Sequence, residues 1–357
     1  MLFKCNNKLK RTKIRNSISA RQGKNKKKPR AKQIFFKYAT NCYLCQVMKD
    51  FWPNALFALM RGLSFFPLRL HYCCARFTAW IIGNVVGYRK EVIDANLRAA
   101  MPCLGDGERR RLEKDYYRYI ADLVAEFVWC VGKSGDRLSR KGFVRVENPE
   151  ILKKLHSKGH GVMVLCSHSG NWEMLPAAVD LYTASGEFVK SDFATTYKRL
   201  RNDFWEAVTI KARTYGKCSP SQFIDSRGIL RYMVKHRDEG KIYHFLVDQY
   251  PYGTATPYYI GEFFGLPTDA IMGAANLAER FAMPVVYLHN FRKSRGRYVM
   301  VPEEICVDAS AMGAEAVMKR YFEMLEADVK QYPCNWLWSH KRWKNIAGLY
   351  PPRKKKN

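Results

Sequence analysis

Apolar positions change their period along this chain, and the change divides it. Over 91–101 and 108–130 they recur at helical spacing, with Leu112, Tyr116, Tyr119, Ile120, Leu123 and Phe127 on one face. Such a stripe predicts helices packed on a core. Beyond Gly132 short apolar runs alternate with helical stretches, the texture of an α/β layer. The pattern predicts strands over 161–166, 241–247, 284–290 and 298–301, and helices over 172–181, 204–213, 226–235, 270–281 and 314–331. The unbroken run Gly161-Val-Met-Val-Leu-Cys166 reads as a strand covered on both faces. It stops at Ser167-His168, which places the next residues at a carboxyl-terminal strand edge, where open α/β sheets keep their sites. The expected fold class is therefore α/β, a mixed central sheet flanked by helices.

Residues 56–86 fit neither pattern. They are apolar and aromatic, but Arg61, Arg69 and Arg76 interrupt them, so no clean run of about 20 uncharged residues exists. Two readings stay open: an anchor whose Phe65, Phe66, Tyr72, Phe77, Trp80, Ile81 and Ile82 enter a bilayer interface while the arginines reach for head groups, or a buried helical hairpin with its arginines paired. The organisation expected is a basic tail over 1–50, a helical membrane-associated region over 51–132, an α/β domain over 133–344 and a basic tail over 345–357.

The formal net charge of +29 implies an anionic partner. From Met1 to Gln33 there is no acidic residue. That stretch reads as a disordered tether for anionic lipid or nucleic acid, as a plain solvated extension, or as residues ahead of a natural start nearer Met48. No apolar segment with a small-residue cleavage site follows, so a secretory signal is not expected. The 11 cysteines are scattered, and only Cys42/Cys45 and Cys73/Cys74 lie close together. No zinc-ligand set is completed, no metal is expected, and the thiols read as small apolar fillers in a reducing compartment.

At the predicted edge the sequence is Ser167-His168-Ser169-Gly170-Asn171-Trp172-Glu173. Gly170 permits a tight turn, which would bring His168 and Glu173 together, with Glu173 in the first turn of the next helix. A carboxylate on one imidazole nitrogen fixes the tautomer and leaves the other to take a proton from a hydroxyl. The nucleophile would then belong to the substrate. A capped helix after a strand, with an incidental histidine, is the alternative.

The run His168-Ser-Gly-Asn-Trp-Glu173 resembles the H-x4-D/E motif of the lysophospholipid acyltransferase superfamily, and most nearly its bacterial lipid A late acyltransferase branch. Further likenesses follow in order: Tyr197-Lys198 with Asn202, Arg213-x-x-Gly216, Asp248-Gln249, Phe263-Phe264-Gly265-Leu-Pro267, Leu277-Ala278 and Trp336-Leu-Trp338-Ser-His340-Lys-Arg342-Trp343, with Gly87-Tyr88-Arg89 and Asn96-Leu97 ahead of the catalytic block. Lys198 stands where many of these enzymes carry arginine. The resemblance implies a glycerolipid acyltransferase-like fold and an acyltransferase with His168 and Glu173 catalytic. It implies acyl-acyl carrier protein or acyl-coenzyme A as donor, no cofactor, and a membrane-lipid acceptor, a lipid A precursor first and a lysophospholipid or amino-acid-based lipid otherwise. It places the enzyme at the cytoplasmic face of the bacterial inner membrane. A basic nucleic-acid-binding protein is the alternative of another class, yet no reading motif accompanies the charge, and no specific nucleic acid is expected.

The remaining candidates fall around that motif. Asp248 and Gln249 end a second apolar run and share the edge, unless Asp248 only caps a turn. Lys198 and Arg213, ahead of Arg199 and Arg201, are candidates for gripping phosphate. Amides near Gly170, or Lys198, are candidates for an oxyanion, and Asn171 is a candidate for binding substrate. The segment 261–267 suits a loop lining an acyl groove or buried packing, and 336–343 suits a head-group boundary or a docked helix, with His340 a second histidine candidate.

Overall fold

A computed structural model describes residues 43–156, 161–184, 186, 188–251 and 255–352. Two compact units make up the chain, Met1–Trp52 and Pro53–Asn357, and the fold below is that of the second. Its helical part comprises the portion of α1 (Tyr43–Leu63) from Pro53 onward, α2 (Leu68–Trp80) with a π-helical turn at Ile81–Val85, α3 (Lys90–Ala100) and α4 (Asp106–Trp129). The α/β part follows as α5 (Gly135–Arg140), β1 (Val144–Val146), α6 (Pro149–His156), β2 (Val162–Cys166), α7 (Leu175–Thr183), β3 (Phe193–Tyr197), α8 (Asp203–Thr214), β4 (Phe223–Asp225), α9 (Ile229–Lys235) and β5 (Ile242–Leu246). It closes with β6 (Tyr258–Phe263), β7 (Leu266–Ala270), α10 (Gly273–Arg280), β8 (Val285–Ser294), β9 (Arg297–Cys306), α11 (Ala309–Met312) and α12 (Ala314–Gln331).

Seven strands form one sheet in the order β1-β9-β8-β2-β5-β3-β4, parallel except for the antiparallel β8/β9 hairpin. The sheet is mixed and flanked by helices, as expected. Its central strands read as continuous apolar runs because both faces are covered. Along β2, Met163 and Leu165 enter one core with Tyr119 of α4 and Val317, Tyr321 and Leu325 of α12. Val162, Val164 and Cys166 enter another with Leu138, Leu152, Leu155, Ala178 and Tyr182. Period-two alternation thus feeds two hydrophobic layers from one strand.

Three expectations are corrected. The segment 261–267 is the β6/β7 hairpin, not a loop lining a groove. Phe264 (φ 58°) and Gly265 (φ 66°) both take the left-handed conformation that a tight two-residue turn requires, and fully buried Phe263 packs against Phe322, Trp336 and Trp343. Residues 336–343 are neither a head-group boundary nor a helix: Trp336, Trp338 and Trp343 are buried in the core. The hairpin over 56–86 is not buried, because Phe65, Phe66, Phe77, Trp80, Val85 and Val86 are all at least half exposed while only Met60, Ala75 and Ala79 among its apolar residues are buried. Among the described residues no helix is long and apolar enough to cross a membrane.

On β5, His244 stacks on Phe193 with 5.9 Å between ring centroids and lies beside the Thr195 hydroxyl. Burial pushes its imidazole down to about 4, so the fold holds it neutral. A depressed histidine stabilises fully above the ordinary value of 6.5, and that contribution is lost as pH falls toward 4. Between pH 7 and 5 this residue alone should cost about 2 kcal/mol of stability. Urea unfolding of wild type and His244→Leu at both pH values measures it: the variant should lose less on acidification, and equal losses would contradict the buried neutral imidazole.

Candidate active site

The sheet register builds the site. Cys166 of β2 sits opposite Leu246 of the parallel β5, and the Val247 amide donates to the Cys166 carbonyl at 3.2 Å. His168 and Asp248 each lie two residues beyond those partners, so two parallel strands deliver them side by side. The Asp248 carboxylate can only accept. Oδ1 lies 2.6 Å from His168 Nδ1, and Oδ2 takes the His168 backbone N–H and the Trp336 indole N–H, each at 3.0 Å. Nδ1 therefore carries the imidazole proton, and Nε2 is the basic nitrogen, with the Gln249 amide 3.4 Å away. Burial alone would raise the Asp248 carboxyl, but His168 and the two N–H donors hold it below the usual carboxylate range. The buried Arg342 guanidinium, over the Phe322 ring at 5.0 Å, lies within electrostatic reach of this carboxylate, and burial pulls it down to about 10. His168 remains 19% exposed, so its ring meets the surface, with Trp172 edge-on at 5.2 Å.

The expected pairing of His168 with Glu173 is not what the structure shows. Glu173 lies in the single 3-10 turn Trp172–Met174 ahead of α7 and accepts from Arg213 Nε and Nη2 of α8, both at 2.7 Å. Burial would raise its carboxyl, yet the bidentate guanidinium wins and lowers it, with a smaller contribution from His168. Asp248 takes the place on Nδ1 because strand register fixes it there, whereas a five-residue spacing only permits proximity. Arg213 is thereby held by a carboxylate within the protein.

Gly170 and Asn171 are structural in their contacts. Gly170 turns at φ +58°, and a Cβ there would lie 2.3 Å from the Asn290 carbonyl. Its N–H donates to the Asn335 carbonyl at 2.9 Å and its carbonyl accepts from Tyr119, so the Gly170 amide is not an oxyanion donor here. The Asn171 amide donates to Glu126 Oε2 at 2.9 Å. Burial raises the Glu126 carboxyl, which also accepts from the hydroxyls of Tyr72 and Tyr298, both at 2.6 Å.

Lys198 is exposed just after β3. His340 Nε2 accepts the Tyr250 N–H at 3.0 Å and burial lowers its imidazole to about 4, so at neutral pH the ring is uncharged and its Nε2 is already engaged. Cys166 lies in the core beneath the edge, where burial raises its thiol. Among the described residues no three histidine, cysteine or acidic side chains gather as a metal site would require. The sequence marks Trp336, which holds Asp248, only as part of an ordered motif and of the segment suited to a head-group boundary or a docked helix.

Residues 46–345 match the family model described as bacterial lipid A biosynthesis acyltransferase. No curated protein matches the chain.

Proposed function

The chain belongs to the family of bacterial lipid A biosynthesis acyltransferases and is an acyltransferase, and we propose that it moves a fatty acyl chain from an acyl-acyl carrier protein or acyl-coenzyme A thioester to a hydroxyl of a membrane lipid, a lipid A precursor, at the cytoplasmic face of the bacterial inner membrane. The observation that carries this reading is the His168–Asp248 pair, at 2.6 Å, with Nε2 beside the Gln249 amide. His168 Nε2 takes the proton of the acceptor hydroxyl as its oxygen attacks the thioester carbonyl. The new C–O bond forms, the tetrahedral oxyanion collapses, the C–S bond breaks, and the imidazolium returns its proton to the departing thiolate. Asp248 stabilises the imidazolium, and the Gln249 amide, beside Nε2, donates to the oxyanion. Mass spectrometry of total lipids with and without the gene, and with a His168→Ala copy, tests the proposal. One acylated species should vanish without the gene and stay absent with the variant; identical lipid profiles would overturn the reading.

The exposed aromatic face of residues 56–86 supports membrane attachment, since Phe65 at 72% and Phe77 at 65% exposure leave apolar area to bury in an interface. Salt does not weaken apolar burial. Extraction from membranes should therefore need detergent, and replacing Phe65, Phe66, Phe77 and Trp80 together by serine should raise the freely soluble fraction about tenfold or more, each aromatic giving up roughly 1 kcal/mol or more. Release of the intact protein by 1 M salt alone, on the order of a 3 Å screening length, would instead assign attachment to the basic tail.

A further inference from the structure

A concavity lies beside the reaction centre, and the mechanism above leaves it unused. It holds about 360 Å³ and is lined by Arg89, Glu91, Ser339, His340, Lys341 and Lys344 among others. Three cations thus face one carboxylate. The fold brings them from opposite ends of the chain: Asn96 of α3 donates to the carbonyls of Trp338 and His340 at 2.7 and 2.8 Å, and Tyr116 of α4 donates to Ser339 Oγ at 2.8 Å. That clamp sets Arg89, at the start of α3, beside the basic segment that follows Trp338. Aromatic faces position the ammonium groups, Lys341 over Tyr350 at 5.0 Å and Lys344 over Tyr250 at 5.3 Å.

The cavity also touches the catalytic chain. Tyr250, two residues past Asp248, donates its N–H to His340, which lines the cavity. The charge continues outward, because Lys198 lies within electrostatic reach of both Arg201 and Lys344; burial and then these two cations lower its ammonium. Lysine and arginine lining one concavity suit a phosphate, lysine as a compact charge and arginine through its planar fork.

We propose that this cavity binds a phosphate ester of a substrate and so fixes the reacting group against His168. The proposal deepens the acyltransferase reading and rests on it for the substrate's identity. Phosphate esters occur both on the acceptor proposed above and on the carrier arm of the donor.

The test uses the full chain in detergent at low salt. Calorimetric titration with inorganic pyrophosphate should show binding, weakened about tenfold or more in Lys341→Gln/Lys344→Gln, as the loss of charge-assisted hydrogen bonds requires. Arg110→Gln/Arg111→Gln, exposed on α4, serves as the charge control and should bind like wild type. Absence of binding in wild type, or equal weakening in the control, overturns the site. Turnover then finds the source, comparing acyl-coenzyme A with the phosphate-free acyl-N-acetylcysteamine, and a phosphorylated glycolipid acceptor with its dephosphorylated form. The Lys341→Gln/Lys344→Gln variant should lose the wild-type preference in kcat/KM for the phosphate-bearing member of one pair, and that pair identifies the bound partner. Retention of both preferences overturns the proposal. If wild type turns over no combination, the acyltransferase reading fails, while the pyrophosphate titration still decides the cavity.

Discussion

Asp248→Asn should cut turnover by about 10²–10⁴, as severely as His168→Ala, in a protein that remains folded. Hydrogen-bond geometry dictates the result. Oδ2 accepts two N–H groups, from the His168 backbone and from the Trp336 indole, so in the variant that position must remain the carbonyl oxygen. The new NH2 group is then forced onto the position of Oδ1, facing Nδ1 at 2.6 Å. A donor there makes Nδ1 the acceptor and moves the imidazole proton to Nε2, the nitrogen that must be empty to receive the hydroxyl proton. Histidine and fold both survive, and the base is lost through its tautomer. Two measurements check this: kcat with thermal unfolding, and the ring nitrogen shifts of His168 by NMR, which should show Nδ1–H in wild type and Nε2–H in the variant. Turnover within tenfold of wild type, with the tautomer exchanged, would remove His168 from the base role.

The elements legible in the sequence were those whose burial imposes a simple period. β2 and β5 are apolar at nearly every position because helices cover both faces, and α4 and α12 show the single stripe of helices packed on one side. β3 and β4 were not legible, since Thr195 and Thr196 interrupt the one and the other has three residues. Nor was the β6/β7 hairpin, whose turn puts a phenylalanine where glycine or asparagine is usual. In the site, the strand edge and His168 were readable. The partner was not, because local spacing favours Glu173, five residues on, while the pairing observed joins residues 80 apart. Only the equal offset of His168 and Asp248 from paired strand ends carries that information, and it requires knowing that β2 and β5 are neighbours. Trp336 and Trp343 show the same limit for composition: tryptophan beside lysine and arginine serves a membrane boundary or a core equally well, and the depth of burial decides.

Glu173 and Arg213 should behave as one unit, removal of both costing less than the two single removals summed. The pair is bidentate and partly enclosed, with side chains 17% and 25% exposed. Arg213→Leu strands the Glu173 carboxylate, and Glu173→Leu strands the guanidinium. Either should cost about 2–3 kcal/mol, short of the 3–5 typical of a fully enclosed pair because water still reaches both groups. The double variant Glu173→Leu/Arg213→Leu leaves no unpaired charge and should recover about 2 kcal/mol of the summed losses. Catalysis should follow the same order, for the pair ties the turn that carries Trp172, edge-on to His168, to α8, and its loosening lets the imidazole wander from its productive position. A phosphate-gripping Arg213 predicts something else. Arg213→Leu would then raise KM with stability intact, and adding Glu173→Leu would restore nothing. Urea unfolding of the four proteins, with kcat and KM measured beside it, separates the two roles: additive stability losses would refute the coupled pair, and a pure KM effect in a stable Arg213→Leu protein would return Arg213 to substrate binding.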